Sequence, residues 1–243
     1  MMEPKHDIIK MDFQVGRFIT FSDGVFAIVI TIMVFELKVP EIKFPDVPSD
    51  QLLWQRLSNM GLKFLSFFIS YIVVGHYWSV HHRIYGYALR YTTGLLWINL
   101  GFLLTVAVLP FSSDLLGEYS SDNGMKIPYA VYVLNICLVA LMNTWMWIYI
   151  SKPNRDLLTR KISAARIKLG VYRSLVIPII FVISFLVSLI FPAPSRLMLL
   201  LIPAILQWGM GGLERKANRD EIKELNATSI EKIKEEENKE SPE

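Results

Sequence analysis

A single cysteine, Cys137, stands among the 243 residues of this chain. It has no partner for an intrachain disulfide, and no cysteine-based metal cluster can form. Set within "YAVYVLNICLVALMNTW", it reads as a packing residue. Charge is scarce too: 19% of residues are Asp, Glu, Lys or Arg, against 53% that are hydrophobic. The charges crowd into a few short stretches and leave long runs without any, which is the composition of a polytopic membrane protein rather than of a soluble domain. The net charge is only +3. With the basic residues lying between apolar runs, they read as topology signals, and nucleic acid is not expected as a partner.

The equipment for an enzyme is also missing. Three of the four histidines fall in "HYWSVHHR". His76, His81 and His82 are spaced five and one apart, so no i, i+4 pair shares a helical face, and no HExxH pattern accompanies them. Neither metal catalysis nor a resident cofactor is expected. A cleaved signal peptide is not expected either. Lys5, Lys10 and Arg17 do precede an apolar run from Gly24 to Phe35, but Asp23 interrupts its approach, Glu36 and Lys38 follow it, and no small-x-small site appears. The run is taken as a retained first helix. The string "FSD" does not recur, so no internal duplication is read.

What the chain does have is six apolar segments long enough to cross about 30 Å of hydrocarbon. They run from about Arg17 to Val39, Asn59 to Ile84 (as the end of a longer helix beginning near Ser49), Thr92 to Leu116, Ile127 to Ile150, Leu169 to Phe191, and Ser195 to Gly212. The fold class is therefore all-α, with six transmembrane helices in a domain over 17–212. A short N-terminal segment, 1–16, precedes it and a charged tail, 213–243, follows. The densest basic connection, with Lys152, Arg155, Arg160, Lys161, Arg166 and Lys168, is expected on the cytoplasmic side. Counting spans from there puts both termini and the "HHRIYGYALRY" connection inside as well.

The first segment, "RFITFSDGVFAIVITIMVFELKVP", sets a carboxylate within its own apolar run. An ionisable group at bilayer depth costs roughly 2.5–3.5 kcal/mol on insertion scales, so it faces protein or water and usually has a purpose. On a wheel of about 100° per residue, Gly24, Thr31, Ile32 and Phe35 lie within about 60° of Ile28. Asp23 lies about 140° away, beside Ala27, Ile30 and Val34. The acid and the Ile28 stripe therefore do not line the same narrow passage. By depth, Ser22 and Asp23 lie about 8–9 Å inside Arg17. His81 on the second segment and Asn99 on the third come to a comparable level. The expectation is an interhelical network, Ser22 and Asp23 with His81 and Asn99, that clamps the first helix.

The string Arg17-x-x-x-Phe21-Ser22-Asp23, followed by Ala27-Ile28 and Thr31, resembles the RxxxFSD signature that opens the transmembrane protein 175 potassium channels of prokaryotes and lysosomes. The stretches "HYWSVHHRIY", "LLWINLGFLL" and "LPFSSDLL" look like the second and third helices of the same repeat. The resemblance implies a homotetramer in a prokaryotic plasma membrane, with the first helix of each subunit lining a central pore. It further implies that Ile28 forms the main constriction, that Thr31 lies in the layer beside it and bears on ion selectivity, and that Ile32 and Phe35 form the next layers outward. Phe35 departs from the smaller aliphatic residues usual there. The chain contains no TVGYG filter and no arginine ladder; four Thr31 hydroxyls would be few and flexible oxygen ligands, so modest selectivity for potassium over sodium is expected. The partners implied are the lipid bilayer, monovalent cations and further copies of the chain. A proton-coupled cation transporter, with Asp23 and His81 as its titrating pair, is the competing class. The lack of inverted repeats and the single clear intramembrane carboxylate count against it.

Overall fold

The computed structural model describes residues 4–42, 46–90, 92–119, 125–155, 157–159 and 162–191, together with 202, 205, 211–212, 214–223 and 226. Helix α1 spans Pro4–Ile32 and tightens into one 3-10 turn, Met33–Glu36. It is followed by α2 (Asp50–Asn59), α3 (Gly61–Tyr85), α4 (Thr93–Ala107), α5 (Leu109–Glu118), α6 (Ile127–Ser151) and α7 (Ala164–Ser188). Local chemistry starts these helices. Ser49, Thr92 and Ser163 are N-caps whose hydroxyls accept from the backbone N–H of Leu52, Leu95 and Arg166 at 3.2, 3.3 and 3.2 Å. Pro128 sits in the first turn of α6, where a missing N–H costs nothing.

Among the described residues, four helical runs are long and apolar enough to cross a membrane: Gly16–Glu36, Thr93–Glu118, Ile127–Ser151 and Ala164–Ser188. The bent pair α2 and α3 makes a fifth if counted as one span. The expected sixth span, Ser195 to Gly212, falls almost wholly outside the described residues.

Two boundaries differ from expectation. The single long helix expected from near Ser49 is broken at Met60 and bends by 48°, at the Asn59-Met60-Gly61 step where glycine weakens the helix. The third span is interrupted at Val108 between α4 and α5. Pro110 has no N–H to offer the carbonyl of Val106, and its ring crowds that carbonyl. Asn135 of α6 bridges the gap: its amide nitrogen donates to the Thr105 carbonyl at 3.1 Å, while its oxygen accepts from Leu109 N at 3.2 Å and Ser112 Oγ at 3.0 Å.

Pro178, inside α7, poses the same problem and receives a different answer. It leaves the Ser174 carbonyl without its helical donor. Tyr77 of α3, fully buried, donates its hydroxyl to that carbonyl at 3.1 Å. One residue away, His76 Nε2 bonds the Arg173 carbonyl at 3.0 Å. A freed backbone acceptor in an apolar interior must be met by protein, and the Tyr77 and His76 bonds together tie α3 to α7.

The core is one cluster in which Phe26, Tyr77, Phe102, Tyr132 and Phe181 are the largest fully buried side chains. At one end of the bundle the α3–α4 and α6–α7 connections pair with each other. Leu89 N donates to the Leu157 carbonyl at 2.7 Å and Thr159 N to the Tyr87 carbonyl at 3.0 Å. The helical segment 214–223 reaches the same end through Glu214 and Arg83. At the far end Lys63 pairs with Asp114 at 3.1 Å and Glu118 at 2.6 Å.

Candidate functional site

Helix α1 has two dissimilar faces. Ser22, Phe26, Val29 and Met33 recur at helical spacing and are buried, packed toward α3 and α4. On the other side Ile28 is 58% exposed and Phe35 80%, with Thr31 and Ile32 also exposed. Only 22% of this span is buried, against 39–50% of Thr93–Glu118, Ile127–Ser151 and Ala164–Ser188. Phe35 lies in the 3-10 turn, where residues three apart eclipse, so it stands directly beyond Ile32. Thr31 donates its hydroxyl to the carbonyls of Ala27 and Ile28 at 3.0 and 2.9 Å. Its proton is thus used within the helix, and its oxygen lone pairs remain available as acceptors.

The buried face carries the polar contacts. Ser22 Oγ donates to the Phe18 carbonyl at 3.1 Å. Having spent its proton, that oxygen accepts from Asn99 Nδ2 at 3.0 Å, which turns Asn99 Oδ1 toward His81 Nε2 at 2.8 Å. Nε2 must therefore be the protonated ring nitrogen. All three side chains are fully buried. The imidazole stacks on Phe102 at 5.3 Å and lies against Tyr85 and Phe26 at 4.7 and 5.7 Å. The chain His81 to Asn99 to Ser22 to the Phe18 carbonyl thus joins α3, α4 and α1 by donors all running in one direction.

Asp23 is not a member of this chain, contrary to the expected grouping. It sits about 100° further round the helix than Ser22, and its Oδ1 accepts from the indole N–H of Trp78 at 2.9 Å. Trp78 was not anticipated. Its only signal is its place in "HYWSVHHRIY", one turn before His82, whose ring lies 5.9 Å away. Asp23 and His81 have separate partners and do not form the direct pair that a proton-coupled cycle was expected to use. The three clustered histidines likewise separate: His76 goes to the Arg173 carbonyl, His81 to Asn99 and His82 to Trp78. Arg17 and Phe21 are exposed.

Beside the exposed stripe an open groove of about 500 Å³ runs between α1 and the break in the third span. Val25, Ile28, Val29 and Ile32 form one wall, Ala107, Pro110 and Phe111 the other, and Glu36 closes its far end. The anchored face of α1 therefore meets α3 and α4, while the Ile28 side borders this open groove and, among the described residues, stays largely uncovered.

Residues 17–110, from Arg17 within α1 to Pro110 at the start of α5, match the family described as endosomal/lysosomal potassium channel TMEM175. A potassium channel of Streptomyces collinus is 33% identical over 138 residues, which make up 56% of this chain and 65% of that relative. A potassium channel of Chamaesiphon minutus is 30% identical over 142 residues, 58% of this chain and 68% of the relative. The chain thus spans about two thirds of the length of these relatives, slightly less for the first. Among solved structures, that of a lysosomal potassium-selective channel TMEM175 homolog from Chamaesiphon minutus superposes with a TM-score of 0.67 at 24% identity. It covers 81% of this chain and 98% of its own, and so shares the fold.

Proposed function

This chain belongs to the TMEM175 family, and from that membership we propose that it is a potassium channel in which four copies set their α1 helices round a central pore narrowed by Ile28. One observation carries the reading. The least buried of the four long apolar runs among the described residues exposes Ile28, Thr31, Ile32 and Phe35 on one face while its opposite face is fastened by hydrogen bonds. A helix packed that way is covered by something other than its own subunit, and further copies round an aqueous path suit both the apolar stripe and its hydroxyl.

In this reading a ring of Ile28 side chains closes the path sterically and by dewetting, since an apolar neck a few ångström wide disfavours water. The Thr31 oxygens, with their protons held by the helix, face the ion as weak ligands, and Ile32 and Phe35 form the layers beyond. Such ligands are few and flexible, so potassium is preferred over sodium only modestly. Potassium is the cargo, and no resident cofactor takes part. Asp23, bonded to Trp78 and turned about 140° from Ile28, holds the helix and does not line the path. The subunit lies in the plasma membrane of a prokaryote. The end that carries the α3–α4 and α6–α7 connections faces the cytoplasm, where the positive-inside rule puts Lys152 and its neighbours.

Single-channel recording of reconstituted protein under bi-ionic potassium and sodium conditions tests this. Unitary currents with a potassium-shifted reversal potential are expected, and Ile28→Asn should raise basal current and blur selectivity. Potassium movement only in exchange for protons, or currents unchanged in Ile28→Asn, would refute the channel and the gate respectively.

A further inference from the structure

Away from the anchoring chain, charged groups concentrate where α3 ends and α7 begins, with Arg166, Arg173 and Glu221 nearly buried and Arg83 and Glu214 at the rim. Arg83, Arg166 and Arg173 face one small cavity that Trp147 and Tyr87 also line. The groups that meet these guanidiniums come from far along the sequence, in segment 214–223. Glu214 lies 3.0 Å from Arg173 Nη2 and 3.5 Å from Arg83 Nη1. Glu221 pairs with Arg166, accepting from Nε at 3.0 Å and also from Nη2. Arg166 Nη2 further donates to Asn218 Oδ1 at 2.6 Å. Glu214, Asn218 and Glu221 recur at helical spacing, so one face of the segment makes all three contacts. Ala217 and Glu221 are only 4% and 8% exposed, which marks docking rather than surface pairing. Arg173 is 8% exposed, and its Nε has no partner among the described residues. A buried guanidinium deprived of its counter-charge is strongly destabilising, so Glu214 is not dispensable to it.

We propose that the three arginines form a carboxylate-binding socket filled by the chain's own segment 214–223, and that this strap regulates the pore helix. The coupling runs through the last turns of α3. Arg83 follows His81 by two residues and Trp78 by five. Those two side chains hold α1, His81 through Asn99 to Ser22 and Trp78 directly to Asp23. With the strap docked, the end of α3 is fixed to α7 through Glu214 and both helices' arginines. Without it, the nearest direct hydrogen bonds from α3 to α7 among the described residues are those of His76 and Tyr77, two turns back. Release therefore loosens the α3 end that positions Ile28. The inference rests on the channel reading for its effect on flux, but not for the docking itself.

The test uses the full chain in phosphatidylcholine liposomes and compares it with Glu214→Gln/Glu221→Gln, with tryptic cleavage at Arg219 and Lys223 reporting the tail and potassium flux reporting the pore. The double variant should be cut faster, and its basal flux should rise by about fivefold or more, the lower range of ordinary coupling between sites. Reversing one pair, Arg166→Glu with Glu221→Arg, should keep the parental flux, and cleavage at Arg219 and Lys223, read apart from cleavage at the new arginine, should stay slow. If the double variant does not assemble, the single Glu214→Gln, which leaves Arg166 and Glu221 paired, should show the same changes in smaller measure. Unchanged cleavage would overturn the socket, and faster cleavage with parental flux would overturn the regulation. If the parent protein itself carries no flux, the channel reading falls and the regulation with it, while cleavage still decides whether the socket holds the tail.

Discussion

Asn99 donates to Ser22 across 3.0 Å, and both side chains are fully buried. Because the Ser22 proton is committed to the Phe18 carbonyl, this amide can face only one way, and its oxygen is left for His81. Asn99→Leu should therefore orphan two buried groups, the His81 Nε2–H and the Ser22 oxygen. Ser22→Ala should orphan only the Asn99 N–H. Unsatisfied buried groups cost about 1–3 kcal/mol each, and membrane interiors give values toward the low end. Asn99→Leu is expected to be the more destabilising, read as a lower temperature for loss of the sizing-column peak in detergent. Equal losses from the two substitutions would contradict the directional chain.

The indole of Trp78 and the carboxylate of Asp23 separate anchoring from ion attraction. Asp23→Asn keeps an oxygen where Trp78 donates and removes only the charge. Trp78→Phe keeps the charge and removes the donor. If Asp23 anchors α1, Asp23→Asn should assemble and conduct like the parent, while Trp78→Phe and Asp23→Ala lose assembly to a similar degree and do not add when combined. A conductance that falls in Asp23→Asn and holds in Trp78→Phe would mean that the carboxylate acts on the ion.

Much of this arrangement is legible along the chain, and the reasons differ by residue. The split of α1 into an Ile28 face and a Ser22 face follows from helical periodicity, because an uninterrupted α-helix keeps one period from Ser22 to Ile32. The level shared by Ser22, His81 and Asn99 follows from counting rise along three neighbouring spans. Trp78 as the partner of Asp23 does not follow, since an indole in an apolar segment gives no sign of which helix its N–H will reach. The break at Val108 hides inside an unbroken apolar run and shows only through Pro110. The docking of segment 214–223 is a pairing of charges more than 40 residues apart with identical-looking competitors nearby, and neither pattern nor depth singles it out.

Tyr77 and Pro178 are coupled through the carbonyl of Ser174. Tyr77→Phe removes the hydroxyl that serves that carbonyl and should destabilise the protein by about 1–2 kcal/mol. In a Pro178→Ala background the helix supplies its own N–H to Ser174, so the same substitution should cost distinctly less. A double-mutant cycle on melting in detergent measures the difference. Strict additivity would mean that the proline and the tyrosine are unrelated.

Acidity should loosen the strap. Burial alone would raise the Glu214 carboxyl, but the hydrogen bond and charge of Arg173, together with the charges of Arg83 and Arg166, outweigh it and hold the group below its ordinary value of 4.5. Docked Glu214 therefore binds fewer protons than released Glu214, and protons favour release. Docking is at full strength above the ordinary carboxylate value and weakens as pH falls through that value toward the lowered one. Hydrogen exchange over 214–223, corrected for its intrinsic pH dependence, should show protection that is constant near neutrality and lost on the acid side. Glu214→Gln cannot titrate, so its protection should be lower near neutrality and should lose the Glu214 share of the acid-side change. Protection that grew on acidification of the parent, or an acid-side loss undiminished in Glu214→Gln, would place the responsible proton on a different group.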